Sequence, residues 1–548
     1  MKILFDFRIR SKFWLIVVLL IAAFLRFYSL GTNPPSLTWD EAAWGYNAYS
    51  LGLDGRDEFG KFLPYDYLES FGDFKPPMYA YLDIFPVKLF GLNEFAVRFP
   101  SALFGVLTVL TTYFLVRRIF PNSPNREKYA LLAAFFLAIS PWHIMLSRAA
   151  FEANVATFFI SFGVFAALAG VQDKRWYLPL AALSFALSFY TFNTARIVTP
   201  LLVLILAVGF RKELLMRKKE TAVAILVGIL LILPITKFLF SPQANLRFKE
   251  VNIFSDAAVV ERANQQIAND NNSLFSKAIH NRRLGYGVEY LKHYFDNLSP
   301  SFLFIKGDGN PKFSTQDVGE MYLWELPFFV GGILLLFRRR EGVWWIIPLW
   351  LLVGIIPAAT ARETPHALRI ETTLPTFQIL TAIGVGTFLS WVNKAKYKKL
   401  ILGAVFALLA ANFIYFYHGL FSHYSREFSG EWQYGYKDSI SYALGSYAQY
   451  DQINVTTELG RPYIYYLFYS KTNPIDFRKT AQISRDAFGF VSVNGFSKFR
   501  YVKDLPGIEN KSERALYIDV PKSIHPKGSV VKDFYLLNGG TVLRAYTL

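Results

Sequence analysis

The sequence predicts a polytopic α-helical membrane protein of about eleven transmembrane helices, followed by a small C-terminal α/β domain. Hydrophobic residues make up 53% of the 548 residues and charged residues only 18%, where soluble proteins carry about 25% charged residues. Apolar stretches of about 20 residues, the length that spans a hydrocarbon core of ~30 Å, recur along the chain. After about residue 420 the composition becomes mixed and lacks such stretches. These observations place the membrane-spanning part in residues 1–420 and a separate domain in 421–548.

Each predicted span is an uninterrupted apolar run. The runs lie at about 13–30, 97–116, 129–147, 153–170, 176–193, 197–210, 221–240, 323–337, 343–360, 370–391 and 400–418. Two long segments, 31–95 and 241–322, separate runs. The first carries aromatic and aliphatic residues at helical spacing, which is typical of helices in the membrane interface, and the second is polar in its middle and then aromatic. The first run follows basic residues and has no small-x-small cleavage site, so we expect an uncleaved span.

The distribution of charged residues along the chain indicates the membrane topology. Of the 58 Lys and Arg residues, 22 lie in six short segments that contain only 6 of the 41 Asp and Glu residues. The six segments are 1–12, 117–128, 171–175, 211–220, 338–341 and 393–399. They account for almost all of the net charge of +17, and pairs of spans separate them, which is the positive-inside pattern. We therefore predict a cytoplasmic N-terminus, an extracytoplasmic C-terminal domain and no nucleic-acid partner.

The C-terminal region alternates between helical and strand-like patterns, which predicts an α/β domain. The predicted helices are 436–447 and 461–469, and the predicted strands are 452–457, 489–493, 515–520 and 541–548.

Several functional classes are disfavoured. The sequence has no Walker loop, no GxGxxG after a strand, no HExxH and no cysteine, so ATP-driven, NAD-dependent and thiol chemistry lack their motifs. Gly384 and Gly386 lie inside a span, where glycine permits close helix packing. A nucleotide-sugar donor is also disfavoured, because such sugars are cytoplasmic whereas the long segments are predicted to face outward.

Charged residues at the outer ends of spans are the remaining candidates for a site. Asp40 and Glu41 open the first outer segment, and acids at the rim of a span are functional by default, although both also suit the first turn of a helix. The other candidates are Lys75, Arg98, Arg148, Glu152, Arg196, His366 and Arg369. Taken singly, Lys75, Arg148 and Arg196 also fit residues that extend to lipid headgroups. His366 alone fits an ordinary loop histidine, and Glu152 fits a helix cap. Acids and several cations on one membrane face together favour an anionic lipid substrate.

The chain resembles the GT-C superfamily of glycosyltransferases that use lipid-linked sugars, in particular the bacterial protein-mannosyltransferase-like and aminoarabinose-transferase-like branch. The resemblance is carried by Asp40-Glu41, by Lys75-Pro76-Pro77-Met78-Tyr79 and by residues 90–103, 140–152, 322–327 and 366–369. It is strong over about 1–210 and weaker beyond. Relatives often have Asp at the second acidic position, where this chain has Glu152.

The resemblance implies an inverting glycosyltransferase in a bacterial-type cytoplasmic membrane, which transfers a hexose or pentose from a polyprenyl-phosphate carrier at the outer face. It implies that Asp40 is the catalytic base, assisted by Glu41 and Glu152. Donor phosphate binding falls to Lys75, Arg98, Arg148, Arg196, His366 and Arg369. Some relatives use a divalent metal ion, and in that case Asp40 and Glu152 would hold it. The acceptor, whether protein, lipid or glycan, stays open.

Two other functions are compatible with the composition. A transporter or flippase of lipid-linked sugars would favour charged or broken helices at the midplane and an inverted repeat, and we find no repeat. A non-catalytic lipid-binding protein of envelope assembly is the third hypothesis.

Overall fold

The computed structural model describes most of the chain. The described residues are 2–71, 73–244, 252–486, 490–505, 514–523, 525 and 527–548, with residues 2–10 described by their backbone only. Three parts of predicted features lie outside them: Gly72 after Phe71, residues 245–251 of the second long segment, and Gly489 of a predicted strand.

The chain divides into two compact units, and each contains segments that are distant in sequence. The helical unit comprises Met1–Leu25, Phe104–Leu146 and Glu152–Phe416. The loop–sheet unit comprises Arg26–Leu103, Ser147–Phe151 and Tyr417–Leu548. The predicted domain boundary at residue 420 differs from this grouping, because most of the first outer segment belongs to the same unit as the C-terminal region. The two domains 1–420 and 421–548 therefore stay a prediction.

Seven helices in the first third of the chain are used below. They are α1 (Lys2–Phe27), α2 (Trp39–Asp54), α3 (Met78–Phe90), α4 (Glu94–Ile119), α5 (Arg126–Ile139), α6 (Pro141–Arg148) and α7 (Glu152–Gln172). The later helices of the helical unit are Tyr177–Phe189, Ala195–Gly209, Arg211–Met216, Lys218–Leu239, Ala257–Asn269, Leu274–Ile279, Arg282–Asp296, Leu326–Arg339, Ile346–Ala359, Ala367–Ile370, Thr376–Val392 and the first part of Lys398–His418.

Each predicted span overlaps helical residues, but the spans predicted at 129–147 and 370–391 each correspond to two helices joined at a bend. Among the described residues, four helices are long and apolar enough to cross a membrane: Glu94–Ile119, Glu152–Gln172, Lys218–Leu239 and Lys398–Glu427. The count rises to six if each of two bent helix pairs is one span. One of these pairs, α5 and α6, bends by 55° at Pro141, because proline cannot continue the hydrogen bonds of the preceding helix. The figure of eleven spans therefore stays a prediction.

Glycines bring two helices of the helical unit into backbone contact. A Cβ atom on Gly332 would lie 1.9 Å from the carbonyl oxygen of Leu380, and one on Gly384 would lie 2.0 Å from that of Phe328. Helices Leu326–Arg339 and Thr376–Val392 therefore pack closely at these positions, which confirms the packing role predicted for Gly384.

In the loop–sheet unit, α2 begins where its sequence specifies a helix start. Thr38 accepts a hydrogen bond from the backbone N–H of Glu41, and the Glu41 side chain accepts one from the N–H of Thr38, which is a capping box. The helix ends at Gly55, whose φ of 73° favours glycine. Inside the helix, Gly45 allows Phe468 and Val97 to approach, since a Cβ there would lie within 2.6 Å of both side chains.

The loop–sheet unit also contains two β-sheets, one antiparallel and one mixed. Strands β1 (Leu68–Ser70) and β2 (Asp73–Lys75) form a hairpin before α3. A seven-stranded mixed sheet follows in the order β4-β5-β6-β3-β7-β9-β8, with β3 parallel to both β6 and β7. Its strands are β3 (Gln452–Thr456), β4 (Gln482–Arg485), β5 (Val491–Phe496), β6 (Phe499–Val502), β7 (Ala515–Asp519), β8 (Ser529–Tyr535) and β9 (Thr541–Thr547). Its helices include Tyr436–Gly445, Pro462–Ser470 and Pro474–Thr480.

The α/β alternation predicted for the C-terminal region is thus present. The predicted strands at 452–457, 515–520 and 541–548 correspond to β3, β7 and β9, and the described part of 489–493 overlaps β5. Strands β4, β6 and β8 were not predicted. The sequences of β4 and β8 lack the apolar alternation of a half-buried strand, and β6, which alternates at Phe499 and Tyr501, is only four residues long.

Candidate functional site

Asp40 and Lys75 form an ion pair within the loop–sheet unit. Lys75 Nζ donates a hydrogen bond to Oδ1 of Asp40. The Asp40 side chain remains 47% exposed, whereas that of Lys75 is only 9% exposed. Asp40 lies in the first turn of α2, where the positive end of the helix dipole stabilises a carboxylate. The pair therefore consists of an accessible carboxylate and a nearly buried cation that binds it.

Aromatic rings enclose the Lys75 ammonium. It lies 5.3 Å from the ring centroid of Trp44 and 5.1 Å from that of Phe71. Arg461 donates to the carbonyl oxygen of Phe71 at 2.9 Å and lies over the same ring. A residue from the C-terminal region thus holds the turn that precedes Lys75, a contact that no sequence pattern predicts.

Glu58 lies in the same neighbourhood and was not predicted. Its side chain is fully buried, accepts a hydrogen bond from Ser70 at 2.9 Å and interacts electrostatically with Lys75. Burial raises the pKa of Glu58 to about 8, and the charge of Asp57 acts in the same direction. The Ser70 and Asn47 hydrogen bonds and the charge of Lys75 lower the pKa, but by less.

Glu41 is also buried, and its two carboxylate oxygens have several donors. Oε1 accepts from Nε of Arg98 at 2.8 Å and from the backbone N–H of Ala150 at 3.0 Å. Oε2 accepts from the backbone N–H of Thr38 at 2.8 Å. Glu41 therefore joins the start of α2 to α4 and to the segment before α7, instead of facing a substrate.

Arg98 uses all five of its N–H groups inside the protein. Besides its bonds to Glu41, Nη1 donates to the carbonyl oxygens of Leu30 and Pro34 at 3.1 and 2.7 Å. Nη2 donates to that of Ser36 at 2.5 Å and to Oε2 of Glu41 at 3.5 Å. A guanidinium has five donors, so this geometry leaves none for the donor phosphate that the sequence assigned to Arg98.

Arg148 contacts the same connecting segment. It is 1% exposed and donates to the carbonyl oxygens of Asn33 at 2.7 Å and Arg26 at 3.4 Å. Its guanidinium lies 4.8 Å from the ring centroid of Phe421. These contacts hold the backbone between α1 and α2, and they do not aim the charge at solvent.

The structure therefore brings five predicted residues together in the loop–sheet unit: Asp40, Glu41, Lys75, Arg98 and Arg148. The other four predicted residues lie in the helical unit. These are Glu152, Arg196, His366 and Arg369.

Glu152 is the first residue of α7 and has a second acidic neighbour. Glu371 interacts electrostatically with it and is fully buried. Neither carboxylate oxygen of Glu371 has a hydrogen-bond partner among the described residues. Glu371 was not predicted, because its only signal in the sequence is an acid at the start of a predicted span.

His366 and Arg369 surround a buried aspartate, Asp308. The Nδ1 atom of His366 lies 3.8 Å from Oδ2 of Asp308, which also accepts from the backbone N–H of Ala367 at 2.7 Å. Burial and then the charge of Arg369 hold the pKa of His366 well below its usual range. Burial raises the pKa of Asp308 to about 6. His366 is therefore a neutral imidazole near neutral pH.

Arg196 lies apart from that cluster and bonds to its own connecting segment. It donates to the carbonyl oxygen of Phe189 at 3.2 Å and to the side chain of Asn193 at 2.7 Å. Its guanidinium lies over the ring of Phe238.

The described residues contain no group of three or more His, Cys, Asp or Glu side chains arranged to hold a metal ion. Asp40 and Glu152, the two carboxylates that the resemblance assigned to a metal ion, belong to no such group among those residues.

Comparison with known proteins gives a family match over part of the chain. Residues 74–238 match the family described as dolichyl-phosphate-mannose-protein mannosyltransferase. An uncharacterized protein of Aquifex aeolicus (strain VF5) is 32% identical over 188 residues, which are 34% of this chain and 35% of that protein. The match thus spans about a third of the length of that relative.

Solved structures match over the whole chain. ArnT from Cupriavidus metallidurans in the apo state has a TM-score of 0.59 at 13% identity and covers 98% of both chains. The same protein bound to undecaprenyl phosphate has a TM-score of 0.56 at 13% identity, covering 97% of this chain and 98% of that one. At this identity the likeness shows the fold. Residues 74–238 thus match the mannosyltransferase family and 98% of the chain shares the fold of ArnT, as the resemblance found in the sequence predicts.

Proposed function

We propose that this membrane protein is an inverting glycosyltransferase that moves a sugar from a polyprenyl-phosphate carrier to an acceptor at the outer face of the membrane. The observation that supports it most is the Asp40–Lys75 pair, in which an accessible carboxylate is joined to a nearly buried cation. The fold it shares with ArnT, which was solved with undecaprenyl phosphate, points to the same class of donor.

In the proposed reaction, the acceptor hydroxyl oxygen attacks the anomeric carbon from the face opposite the phosphate. The bond from the anomeric carbon to the phosphate oxygen breaks, and polyprenyl phosphate leaves with the bonding electrons. Asp40 takes the hydroxyl proton, because a carboxylate within hydrogen-bond reach lowers the barrier to attack. The products are the glycosylated acceptor, with inverted configuration, and free polyprenyl phosphate.

Lys75 supplies positive charge beside the reacting groups. A cation held in a site of low dielectric stabilises the negative charge that develops on a leaving phosphate. The Trp44 and Phe71 rings exclude water from its ammonium and leave its charge directed at Asp40. When donor binds, the phosphate would compete with Asp40 for this ammonium and release the carboxylate to act as a base.

Glu41 and Arg98 are assigned as positioning residues in this proposal, since their polar atoms are engaged within the protein. Arg148 holds the same segment. Glu152, Arg196, His366 and Arg369 stay predictions for donor binding and catalysis. No step uses a metal ion.

The proposal includes the predicted topology. Eleven spans, a cytoplasmic N-terminus, an extracytoplasmic region 421–548 and a bacterial-type cytoplasmic membrane follow from the hydropathy, the positive-inside pattern and the resemblance. The sugar, hexose or pentose, and the acceptor, protein, lipid or glycan, are open within it.

The test uses purified full-length protein with a panel of polyprenyl-phosphate sugars and measures release of free polyprenyl phosphate. We expect wild-type protein to release it and Asp40→Asn to lower the rate by about 10²-fold or more. Asp66→Asn is a matched control, because Asp66 also pairs with a lysine, Lys61, at 2.5 Å in the same unit.

Equal release by wild type and Asp40→Asn would remove Asp40 from the mechanism. Movement of the intact lipid-linked sugar across vesicles, without its cleavage, would favour a flippase. Donor binding without turnover over the whole panel would favour a lipid-binding assembly protein.

A further inference from the structure

A cleft in the helical unit, here called the α4–α7 cleft, lies between the second half of α4 and the length of α7. Its volume is about 750 Å³. Most of its lining residues fall into two groups that differ in chemistry. The apolar group is Leu107, Leu110, Phe114, Phe158, Phe162 and Phe165. The charged group is Arg117, Arg118, Arg126, Asp173 and Lys174.

The apolar wall is built from phenylalanines that recur on one face of α7. Phe158 and Phe162 stack with centroids 5.7 Å apart, and Phe162 and Phe165 lie at the same distance. Phe114 of α4 contacts Phe165 at 6.1 Å and is 37% exposed. Both helices are long and apolar enough to cross a membrane. A partly exposed aromatic wall on such helices is suited to a hydrocarbon chain.

The charged rim closes one end of this wall. Arg117 pairs with Glu127 at 2.9 Å and Arg118 with Asp173 at 2.7 Å, but their side chains remain 33% and 22% exposed. Arg126, whose side chain is 31% exposed, donates to the carbonyl oxygen of Pro121 and also contacts Glu127.

Lys174 is exposed and lies 5.2 Å from the ring centroid of Tyr177. Four cations against the carboxylates of Glu127 and Asp173 leave an excess of two positive charges at the rim. That excess complements a phosphate headgroup.

We infer that the α4–α7 cleft binds one anionic phospholipid, with an acyl chain along the phenylalanine wall and the phosphate at the arginine and lysine rim. Basic pockets between transmembrane helices on the cytoplasmic side are suited to anionic headgroups. The rim includes parts of two basic segments, 117–128 and 171–175, that the sequence places on that side.

The depth of the cleft favours a phospholipid over the longer polyprenyl carrier. From Leu107 to Arg118 the axis of α4 rises about 17 Å, at 1.5 Å per residue. One leaflet contributes about half of the ~30 Å hydrocarbon core. The wall therefore matches one acyl chain within one leaflet. This inference does not rest on the proposed transferase activity.

The test is native mass spectrometry of the purified full-length protein, titrated with dioleoylphosphatidylglycerol or dioleoylphosphatidylcholine. The two lipids share their acyl chains and differ in net charge. We expect one phosphatidylglycerol per chain, bound at least about fivefold more tightly than phosphatidylcholine. Lys174→Gln and Arg126→Gln are each expected to weaken phosphatidylglycerol binding about fivefold and to leave phosphatidylcholine binding unchanged.

Lys396→Gln is the matched control, since Lys396 lies over the ring of Tyr397 at 5.5 Å as Lys174 lies over that of Tyr177. It should bind both lipids as wild type does. Leu110→Trp, which adds volume at the apolar wall, should weaken both lipids.

Equal binding of the two phospholipids would overturn the inference, and so would unchanged binding in Lys174→Gln and Arg126→Gln. Displacement of phosphatidylglycerol by a lower concentration of undecaprenyl phosphate would also overturn it, because the cleft would then be a carrier site. Lys174 is exposed, so its substitution is expected to leave the fold intact and the result interpretable.

Discussion

Glu41 and Arg98 form a fully buried ion pair in the loop–sheet unit, with Nε of Arg98 2.8 Å from Oε1 of Glu41 and both side chains 0% exposed. The same guanidinium bonds to three backbone carbonyls of residues 30–36. The pair thus fixes the segment that leads into α2, on which the accessible Asp40 lies.

Removing one partner of this pair should strongly destabilise the protein. Glu41→Gln leaves a buried guanidinium without its counter-charge. Arg98→Met leaves the buried Glu41 carboxylate without its counter-charge and three carbonyl groups without their donor. We expect each to lower the free energy of unfolding by about 3 kcal/mol or more. The measurement is thermal unfolding in detergent.

The control for that pair is Glu127→Gln. Glu127 pairs with Arg117 at 2.9 Å, but both side chains are partly exposed. We expect a loss of about 1 kcal/mol or less, since exposed ion pairs contribute little. Equal effects of Glu41→Gln and Glu127→Gln would contradict the positioning role.

Lys75→Gln should slow the proposed transfer without unfolding the protein. The substitution removes the cation beside Asp40, and loss of one stabilising group in a transition state typically lowers turnover by about 10²-fold. Lys61→Gln is the control, because Lys61 also pairs with an aspartate and lies over an aromatic ring, Tyr67. Turnover and unfolding temperature are measured for both, and an unchanged rate in Lys75→Gln would exclude Lys75 from the chemistry.

Glu58→Gln should stabilise the protein at alkaline pH. The pKa of Glu58 is raised to about 8 in the folded protein, mainly by burial, from an ordinary value of 4.5. The folded protein therefore keeps a proton that the unfolded chain has lost, and wild-type stability falls as pH rises from about 4.5 through 8. Glutamine does not titrate, so the variant should lack this fall.

Unfolding temperatures at pH 5 and pH 8.5 test this expectation. The variant should resemble wild type at pH 5 and exceed it at pH 8.5. The charges of Asp57 and Lys75 face Glu58, and their opposite effects on its pKa are already included in that value. Glu69→Gln, one residue before Ser70 on β1, should show no such gain.

Gly384→Ala should force two helices apart. The new Cβ would lie 2.0 Å from the carbonyl oxygen of Phe328, and extra volume in a packed core costs about 1–3 kcal/mol. Gly403→Ala is the control, because nothing lies within 4 Å of a Cβ there. We expect Gly384→Ala to lower the unfolding temperature and Gly403→Ala to leave it unchanged. Equal unfolding temperatures of the two variants would contradict the close approach of Gly384 to Phe328.

Hydropathy and capping patterns predicted most helices, because burial in a bilayer requires long apolar runs and Thr38 with Glu41 is a local start pattern. The α/β pattern after residue 420 was also visible. Strands β4 and β8 were missed, since pairing with neighbouring strands defines them more than their own pattern does, and β6 was missed because it is only four residues long.

The sequence by itself determined the apolar runs, the clustering of basic residues in six short segments, and Asp40 and Lys75 as candidates, because composition and short motifs carry that information. Only the tertiary structure decided that Arg98 has no donor left for a phosphate and that Glu58 is buried near Lys75. Such roles depend on how many partners surround a side chain, and those partners come from residues far away in the chain, such as Leu30 and Pro34 for Arg98.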